Sequence, residues 1–312
     1  MNNKNLIKEF LKYLLDIPFF NGEQFKSKND VLINTLRFFA KNKRYDMFKL
    51  LIKLYKCRQC FKVVNSKNGV WRIDLPVIIE SDINTLRCFN CSEVLKRLKN
   101  QDRLRHMFSF EKEKNSDWVI VISQNPNPTN PNYDTAEYRY KIGTNKFQIG
   151  TVFGLGHFLF DLSTTSLLPP VIGLLICLDL WPRYNLYFTD TIKCSFTEIK
   201  TNKYDFEKCW TNFLQKEINI IKKLGNIKYI ILFGKDAWIN KERIVNMGFT
   251  NNVICLYHPQ GQALPYYINL INEYRENTIN SKTKDKIDKL QNELAKLGKT
   301  IDDIDGFWNL TI

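Results

Sequence analysis

Apolar residues recur at helical spacing near the start of the chain and give way to short apolar runs further on. Residues 4–16 and 28–54 carry a helical period, because side chains three and four positions apart share one face. Leu6, Phe10 and Leu14 mark the core face of the first segment, and Leu32, Leu36, Phe39, Phe48, Leu51 and Leu54 that of the second. Asn29 or Asp30 stands where the second helix needs a cap, since a short polar side chain accepts from a first-turn N–H that has no helical partner. A strand-like stretch from Val70 to Glu80 follows, then a helix-like one from Ser92 to about Phe108. From Trp118 onward the pattern alternates, with strands at 118–123, 185–189, 227–233 and 252–257 and helices near 154–163 and at 205–224 and 236–247. Such alternation predicts an α/β fold with a mostly parallel central sheet flanked by helices. Residues 262–299 are helical in period, and the mixed charges from Lys284 to Lys296 mark a solvated helix, with a helix lying along DNA as the alternative. These changes of pattern divide the chain into an N-terminal helical region at 1–110, an α/β domain at 111–273 and a C-terminal helical tail at 274–312.

Composition narrows the classes. A chain of 312 residues that is 44% apolar has enough material for a sizeable core, which excludes disorder throughout. Its 46 Lys and Arg outnumber 32 Asp and Glu, for a formal charge of +14. That excess favours a polyanionic partner, nucleic acid first, through phosphate neutralisation and counterion release. The alternative is a Lys-rich surface without such a partner. The amino end, Met1 to Asn5, leads into the helical pattern without a signal-peptide core. The longest apolar stretch, Leu167 to Leu178, is too short for a bilayer, contains Pro169-Pro170 and reads as buried core. Eight Cys without a secretory signal point to a reducing compartment, so the expected location is the cytoplasm. No membrane contact or obligatory protein partner is expected.

The cysteines fall into two knuckles and four singles. Cys57-x2-Cys60 and Cys88-x2-Cys91, with 27 residues between them, have the spacing of a zinc ribbon, in which four thiolates close a tetrahedral structural site. Cys177 and Cys255 sit in apolar runs and read as core. Basic neighbours of the knuckles, Lys56, Arg58, Lys62, Arg87 and Lys96, make this lobe a second candidate DNA-backbone contact.

Polar residues gather where strands give out. Gln124 and Asn125 follow the first strand of the alternating region, Asp190 follows the second, and His258 follows the last. In an open α/β sheet ligands bind beyond the carboxyl ends of the strands, so these residues are the candidate site. Of the three His, only His258, in His258-Pro259 directly after a strand, has such a setting; His106 and His157 read as structural.

The ordered segments Ser123-Gln124-Asn125-Pro126, Thr189-Asp190 and His258-Pro259-Gln260 resemble the motifs of the uracil-DNA glycosylase superfamily. There the first reads Gly-Gln-Asp-Pro or Gly-x-Asn-Pro, the middle one ends in a base-reading Asn, and the last is His-Pro-Ser or similar. Lys193-Cys194, then Cys209, then Phe233-Gly234-Lys235-Asp236-Ala237 resemble the additional motifs of its iron-sulfur branch, and Gly150 to Gly154, with Phe153, resembles its Gly-x-x-Phe. The resemblance spans roughly residues 117 to 270. It implies a DNA glycosylase, which flips a nucleotide and breaks its N-glycosidic bond to leave an abasic site. His258 would stabilise the departing base, and Asn125 would position the attacking water and face the cationic sugar. Gln124 would add hydrogen bonds, Phe153 would stack on the base, and Gln260, Gln262 and Leu264 would form the wedge that fills the vacated stack. It also implies a four-iron cluster on one knuckle plus Cys194 and Cys209, the alternative to zinc at Cys57, Cys60, Cys88 and Cys91.

The departure that matters is Asp190 in place of Asn. An amide donates to O4 of uracil and accepts from N3. An ionised carboxylate only accepts, so it disfavours uracil and suits the exocyclic amine of cytosine. Excision of ordinary cytosine would destroy the host genome, so the expected substrate is a modified cytosine, hydroxymethylated or glucosylated, as carried by foreign DNA. A uracil-specific repair enzyme and a non-catalytic nucleic-acid-binding protein on the same fold are the competing readings. Lys193 lies near the motif, but nothing in the sequence marks it as a lyase nucleophile.

Overall fold

The computed structural model describes residues 5, 31–57, 70–81, 117–124, 139–142, 145–151, 170–196, 204–259 and 263–309. The expected helix at 4–16 lies outside them apart from Asn5, as do the caps Asn29 and Asp30, the segment from Ser92 to Phe108, and the helix near 154–163. The expected helix at 28–54 is two helices, α1 (Val31–Lys41) and α2 (Tyr45–Tyr55). The break is local: Lys43 adopts φ 55°, and the Asn42 side chain donates back to the Phe38 carbonyl at 2.9 Å. Leu36, Phe39, Phe48, Leu51 and Leu54 are buried as their spacing requires.

Two sheets follow. β1 (Val70–Leu75), β4 (Arg139–Ile142), β5 (Asn145–Thr151) and β7 (Cys194–Phe196) form a four-stranded sheet in the order β4-β5-β1-β7. Its β4–β5 and β1–β7 pairs are antiparallel and its β1–β5 pair is parallel. β2 (Val77–Ile79), β3 (Trp118–Ser123), β6 (Asn185–Asp190), β8 (Ile227–Phe233) and β9 (Val253–Leu256) form a five-stranded sheet in the order β2-β6-β3-β8-β9. β3 runs parallel to β8 and β8 to β9. β6 also runs with β3: Asn185 N–H bonds the Asp117 carbonyl at 3.1 Å where both begin, and Ile192 N–H bonds the Gln124 carbonyl at 2.9 Å where both have ended. The expected mostly parallel sheet between helices is therefore present.

The chain forms two compact units. The first comprises Met1–Ile78, Gln124–Leu159 and Phe188–Gly225 and holds α1, α2, the four-stranded sheet, α4 (Phe206–Cys209) and α5 (Gln215–Lys222). A π-helical turn, Trp210–Leu214, joins α4 to α5, so the expected helix at 205–224 is one rod with a wide turn in it. In this unit Thr35 Oγ1 accepts from Ile78 N–H at 2.8 Å.

The second unit comprises Ile79–Ser123, Phe160–Tyr187 and Asn226–Ile312. It holds β3, β8, β9, α3 (Pro170–Cys177), α6 (Lys235–Trp238), α7 (Lys241–Asn246), α8 (Leu264–Arg275) and α9 (Ser281–Ala295). α3 is buried from Val171 to Cys177, so the described part of the apolar stretch read as core is a core helix. α9 is less solvated than its charges suggest. Asn280 caps it, accepting from Lys282 N–H at 2.9 Å, and Ile287, Leu290 and Leu294 are buried. Glu293 accepts from Cys255 N–H at 2.8 Å and Lys296 donates to the Val253 carbonyl at 3.3 Å. Side chains of α9 thus bond backbone groups of the edge strand β9, which would otherwise be open to pairing with another chain. No helix among the described residues is long and apolar enough to cross a membrane.

Burial, with Glu293 beside it, pushes the Cys255 thiol from 9.0 up to about 11. The folded state therefore holds this proton more tightly than the unfolded one, and the stability so contributed is full below pH 9.0 and lost as pH rises through about 11. In urea denaturation across that window stability falls, and Cys255→Ala makes the fall shallower; an unchanged slope in the variant refutes the assignment.

Candidate active site

Three of the candidate residues stand at strand ends. Gln124 follows β3 directly, Asp190 is the last residue of β6, and His258 lies two residues beyond β9. Leu264 opens α8. Asn125, Phe153, Gln260 and Gln262 lie outside the described residues, as do Cys60, Cys88, Cys91, His106 and His157.

Gln124 and Asp190 belong to the first unit. The bond from Ile192 N–H to the Gln124 carbonyl fastens the backbone leaving β3 to the turn two residues past Asp190. Asp190 is only 2% exposed, so its carboxylate is set inside the protein, where a charge is tolerated only with hydrogen-bonding partners.

Beside it lies a polar cluster that sequence reasoning missed. Lys193 Nζ donates to Glu217 Oε2 at 2.7 Å and also to Thr189 Oγ1, and Thr189 in turn donates to Glu217 at 2.5 Å. The Lys193 and Glu217 side chains are 2% and 1% exposed. Glu217 is supplied by α5, where Ile218, Ile220 and Ile221 are its buried neighbours. The signal was a Glu on an apolar stripe, at the four-residue step between Phe213 and Ile221. An ammonium held this way is not presented as a free nucleophile.

The next residue, Cys194, opens β7 and pairs in register with Ile73 of β1. Cys194, Cys209 and Cys57 line one cavity in this unit, together with Lys193, Asp205 and Lys208. Cys57 follows α2, and Cys209 ends α4 at the π-helical turn. Asp205 caps α4, accepting from Lys208 N–H at 2.9 Å, and its hydrogen bonds from Lys208 lower its carboxyl below the ordinary value. Among the described residues no three His, Cys, Asp or Glu meet as ligands of a single ion. The three thiols instead border a shared space.

His258 belongs to the second unit and is held by the turn after β8. Gly234 N–H bonds the Leu256 carbonyl at 2.9 Å, and the Trp238 indole donates to the carbonyls of Leu232 and Leu256 at 3.0 and 3.2 Å. The ends of β8 and β9 are thereby tied just before His258. The imidazole lies edge-on to Phe233, with ring centroids 6.4 Å apart. Gly234 has φ 85° and ψ 158°, a conformation that essentially only glycine adopts. A Cβ there would stand 3.8 Å from His258 Cβ, which is ordinary contact, so backbone conformation and not space demands glycine.

Removing one partner of the buried Lys193–Glu217 pair leaves an uncompensated charge. Lys193→Met is expected to cost about 3–5 kcal/mol, and adding Glu217→Leu to recover much of it. Chemical denaturation of both variants checks this; a double variant no more stable than the single one rejects the account.

The family model described as the uracil DNA glycosylase superfamily matches residues 110–280, more than half of the 312 residues. No curated protein and no solved structure matches the chain. The matched stretch contains β3, β6, β8 and β9 of the parallel sheet and the polar residues at the ends of three of them. The chain therefore belongs to the uracil DNA glycosylase superfamily, whose members are DNA glycosylases that act on DNA.

Proposed function

We propose that this protein is a monofunctional DNA glycosylase that extrudes a modified cytosine and hydrolyses its N-glycosidic bond, leaving an abasic site. The observation that carries the base preference is the carboxylate of Asp190, 2% exposed at the end of β6, where the superfamily motif has a base-reading Asn. A buried carboxylate accepts a hydrogen bond from the cytosine amine and repels the O4 acceptor of uracil. Removal of unmodified cytosine would be self-destructive, so the substrate carries a modification such as a hydroxymethyl or glucosyl group.

In this reading His258 donates to the carbonyl oxygen of the departing base, whose negative charge grows as the bond to C1′ lengthens. The base leaves with its bonding electrons, water held by Asn125 adds to C1′ of the sugar cation, and the proton this water sheds neutralises the departed base anion. Gln124 adds hydrogen bonds at the same edge, Phe153 stacks on the flipped base, and Gln260, Gln262 and Leu264 fill the gap in the stack. The engagement of Lys193 with Glu217 and Thr189 supports a monofunctional enzyme, because a lyase needs a free amine to attack the sugar.

The same proposal assigns a four-iron cluster to Cys57, Cys60, Cys194 and Cys209 in place of the zinc ribbon. The cavity that Cys57, Cys194 and Cys209 line supports it. A zinc ion draws four sulfurs to about 2.3 Å from one point, whereas a cluster takes one thiolate per iron and needs its ligands spread around a space. Cys57 cannot serve both, and Lys193 and Lys208 at the cavity wall would offset the anionic charge. With every iron held by Cys, the cluster braces the fold.

Oligonucleotides carrying uracil, cytosine, hydroxymethylcytosine or glucosylated cytosine, followed by alkaline cleavage of abasic sites, test the activity. Release of modified cytosine is expected, with a gain of uracil release in Asp190→Asn and a loss of about 10²–10³-fold in His258→Ala. Release of no base sinks the enzymatic reading, and unchanged base preference in Asp190→Asn sinks the role of the carboxylate. Separately, anaerobically purified protein should contain iron and sulfide, lost in Cys194→Ser and kept in Cys88→Ser. Stoichiometric zinc, or metal loss in Cys88→Ser, reverses the cysteine assignment.

A further inference from the structure

α9 carries a line of lysines, three of which have no acidic partner among the described residues. Lys282, Lys286, Lys289, Glu293 and Lys296 follow at steps of four, three, four and three residues, which places them on one face of the helix. This line flanks the buried stripe of Ile287, Leu290 and Leu294. Its far end is committed internally: Glu293 binds the β9 backbone and pairs with Lys296 at 2.6 Å and Lys241 at 3.8 Å. The ammonium groups of Lys282, Lys286 and Lys289 have no carboxylate partner among the described residues. Asp285, three residues from Lys282 and four from Lys289, borders this line but forms no ion pair with it among the described residues, and Asp288 falls on the next line of the helix.

The near end adjoins the segment that follows His258. Lys286 Nζ lies 5.0 Å from the ring centroid of Tyr266, which is 39% exposed. Tyr266 in turn meets Tyr257, the neighbour of His258, edge-on at 5.9 Å. Tyr266 is also two residues beyond Leu264, the apolar wedge candidate at the start of α8. All these residues belong to the second unit, and α9 begins past residue 280, where the family match ends.

We propose that Lys282, Lys286 and Lys289, with Tyr266, form an accessory phosphate-binding surface for the DNA strand flanking the extruded nucleotide. This rests on the glycosylase reading for its partner, and on charge complementarity for its location. At 1.5 Å rise per residue the three lysines span about 10 Å of helix, and each DNA strand presents a phosphate per about 3.4 Å of axis. Three ammonium groups therefore match about three consecutive phosphates. Tyr266 holds Lys286 over its ring face and offers a phenol donor beside it.

The test is fluorescence anisotropy of an unmodified duplex across a series of KCl concentrations. The triple variant Lys282→Gln/Lys286→Gln/Lys289→Gln is expected to bind at least tenfold more weakly at low salt. Its plot of log affinity against log salt should be shallower by about 2–3, at about 0.9 for each phosphate no longer neutralised. Lys284→Gln, on another face of α9, should keep the wild-type slope. A wild-type slope in the triple variant, an equal change in Lys284→Gln, or no DNA binding by the wild type overturns the proposal. A triple variant that sediments differently from wild type, with its DNA slope intact, assigns the line to a protein contact and also overturns it. If the triple variant fails to fold by circular dichroism, the three single variants decide, each with an expected change of about 0.9. Binding to unmodified duplex needs no base release. Binding without excision therefore rejects the glycosylase reading alone, and excision with an unchanged slope rejects the lysine surface alone.

Discussion

Burial of both faces of β3 is the constraint on which the rest of the molecule depends. Every residue from Trp118 to Ser123 is inside the protein, with β6 and β8 hydrogen-bonded on either side. A strand so placed has no solvent face, and its sequence must be an unbroken apolar run and not an alternation. Charged and amide side chains can enter only where the strand stops. β3, β6 and β9 each supply a polar residue once the apolar run is spent: Gln124, Asp190 and His258. Chemistry at strand ends follows from the cost of placing it anywhere else.

That logic explains which features were legible in the sequence. The runs at 118–122, 230–233 and 253–256 announce themselves as apolar stretches without a polar interruption. β4 and β5 did not, because Arg139-Tyr140-Lys141-Ile142 and Asn145 to Thr151 mix polar with apolar residues in stretches too short to show a period. The break between α1 and α2 was hidden for another reason: Lys43 takes a positive φ with no glycine to mark it. Asp190 and His258 could be read as strand-end residues, whereas Glu217 could not be assigned a partner. Its ion pair joins positions 24 apart, and periodicity carries no information on such a contact. Gly234 was visible as part of a motif, but its physical reason, an extended left-handed backbone beneath His258, needed the fold.

The segment from Thr189 to Cys194 concentrates several demands in six residues. Thr189 takes part in the buried ion pair, Asp190 ends β6, Ile192 fastens the segment to Gln124, Lys193 supplies the cation of the pair, and Cys194 borders the thiol cavity. The Lys193–Glu217 pair costs desolvation on both sides, and its net contribution to stability is small compared with the penalty for breaking it. What it supplies is position: an ammonium with two fixed acceptors cannot rotate freely, and neither can the backbone on either side of it. Asp190 on one side and Cys194 on the other are thereby held in one register.

In the proposed reaction, a carboxylate that selects the base also opposes its departure. Accepting from the cytosine amine, Asp190 gains about 1.5–3 kcal/mol, the usual range for a hydrogen bond to a charged group. As the glycosidic bond lengthens, the base turns anionic next to that carboxylate, and at about 4 Å and an effective dielectric of about 20 the repulsion approaches 4 kcal/mol. A single well-placed donor such as His258 contributes about 2.7–4 kcal/mol to an oxyanion, so the two effects nearly cancel. Selection thus falls in the ground state, where it distinguishes bases without accelerating the reaction. The rate must then come from the sugar side, where Asn125, an amide, is a weak general base. Asp190 and Asn125 consequently point the same way, toward an enzyme whose discrimination exceeds its speed.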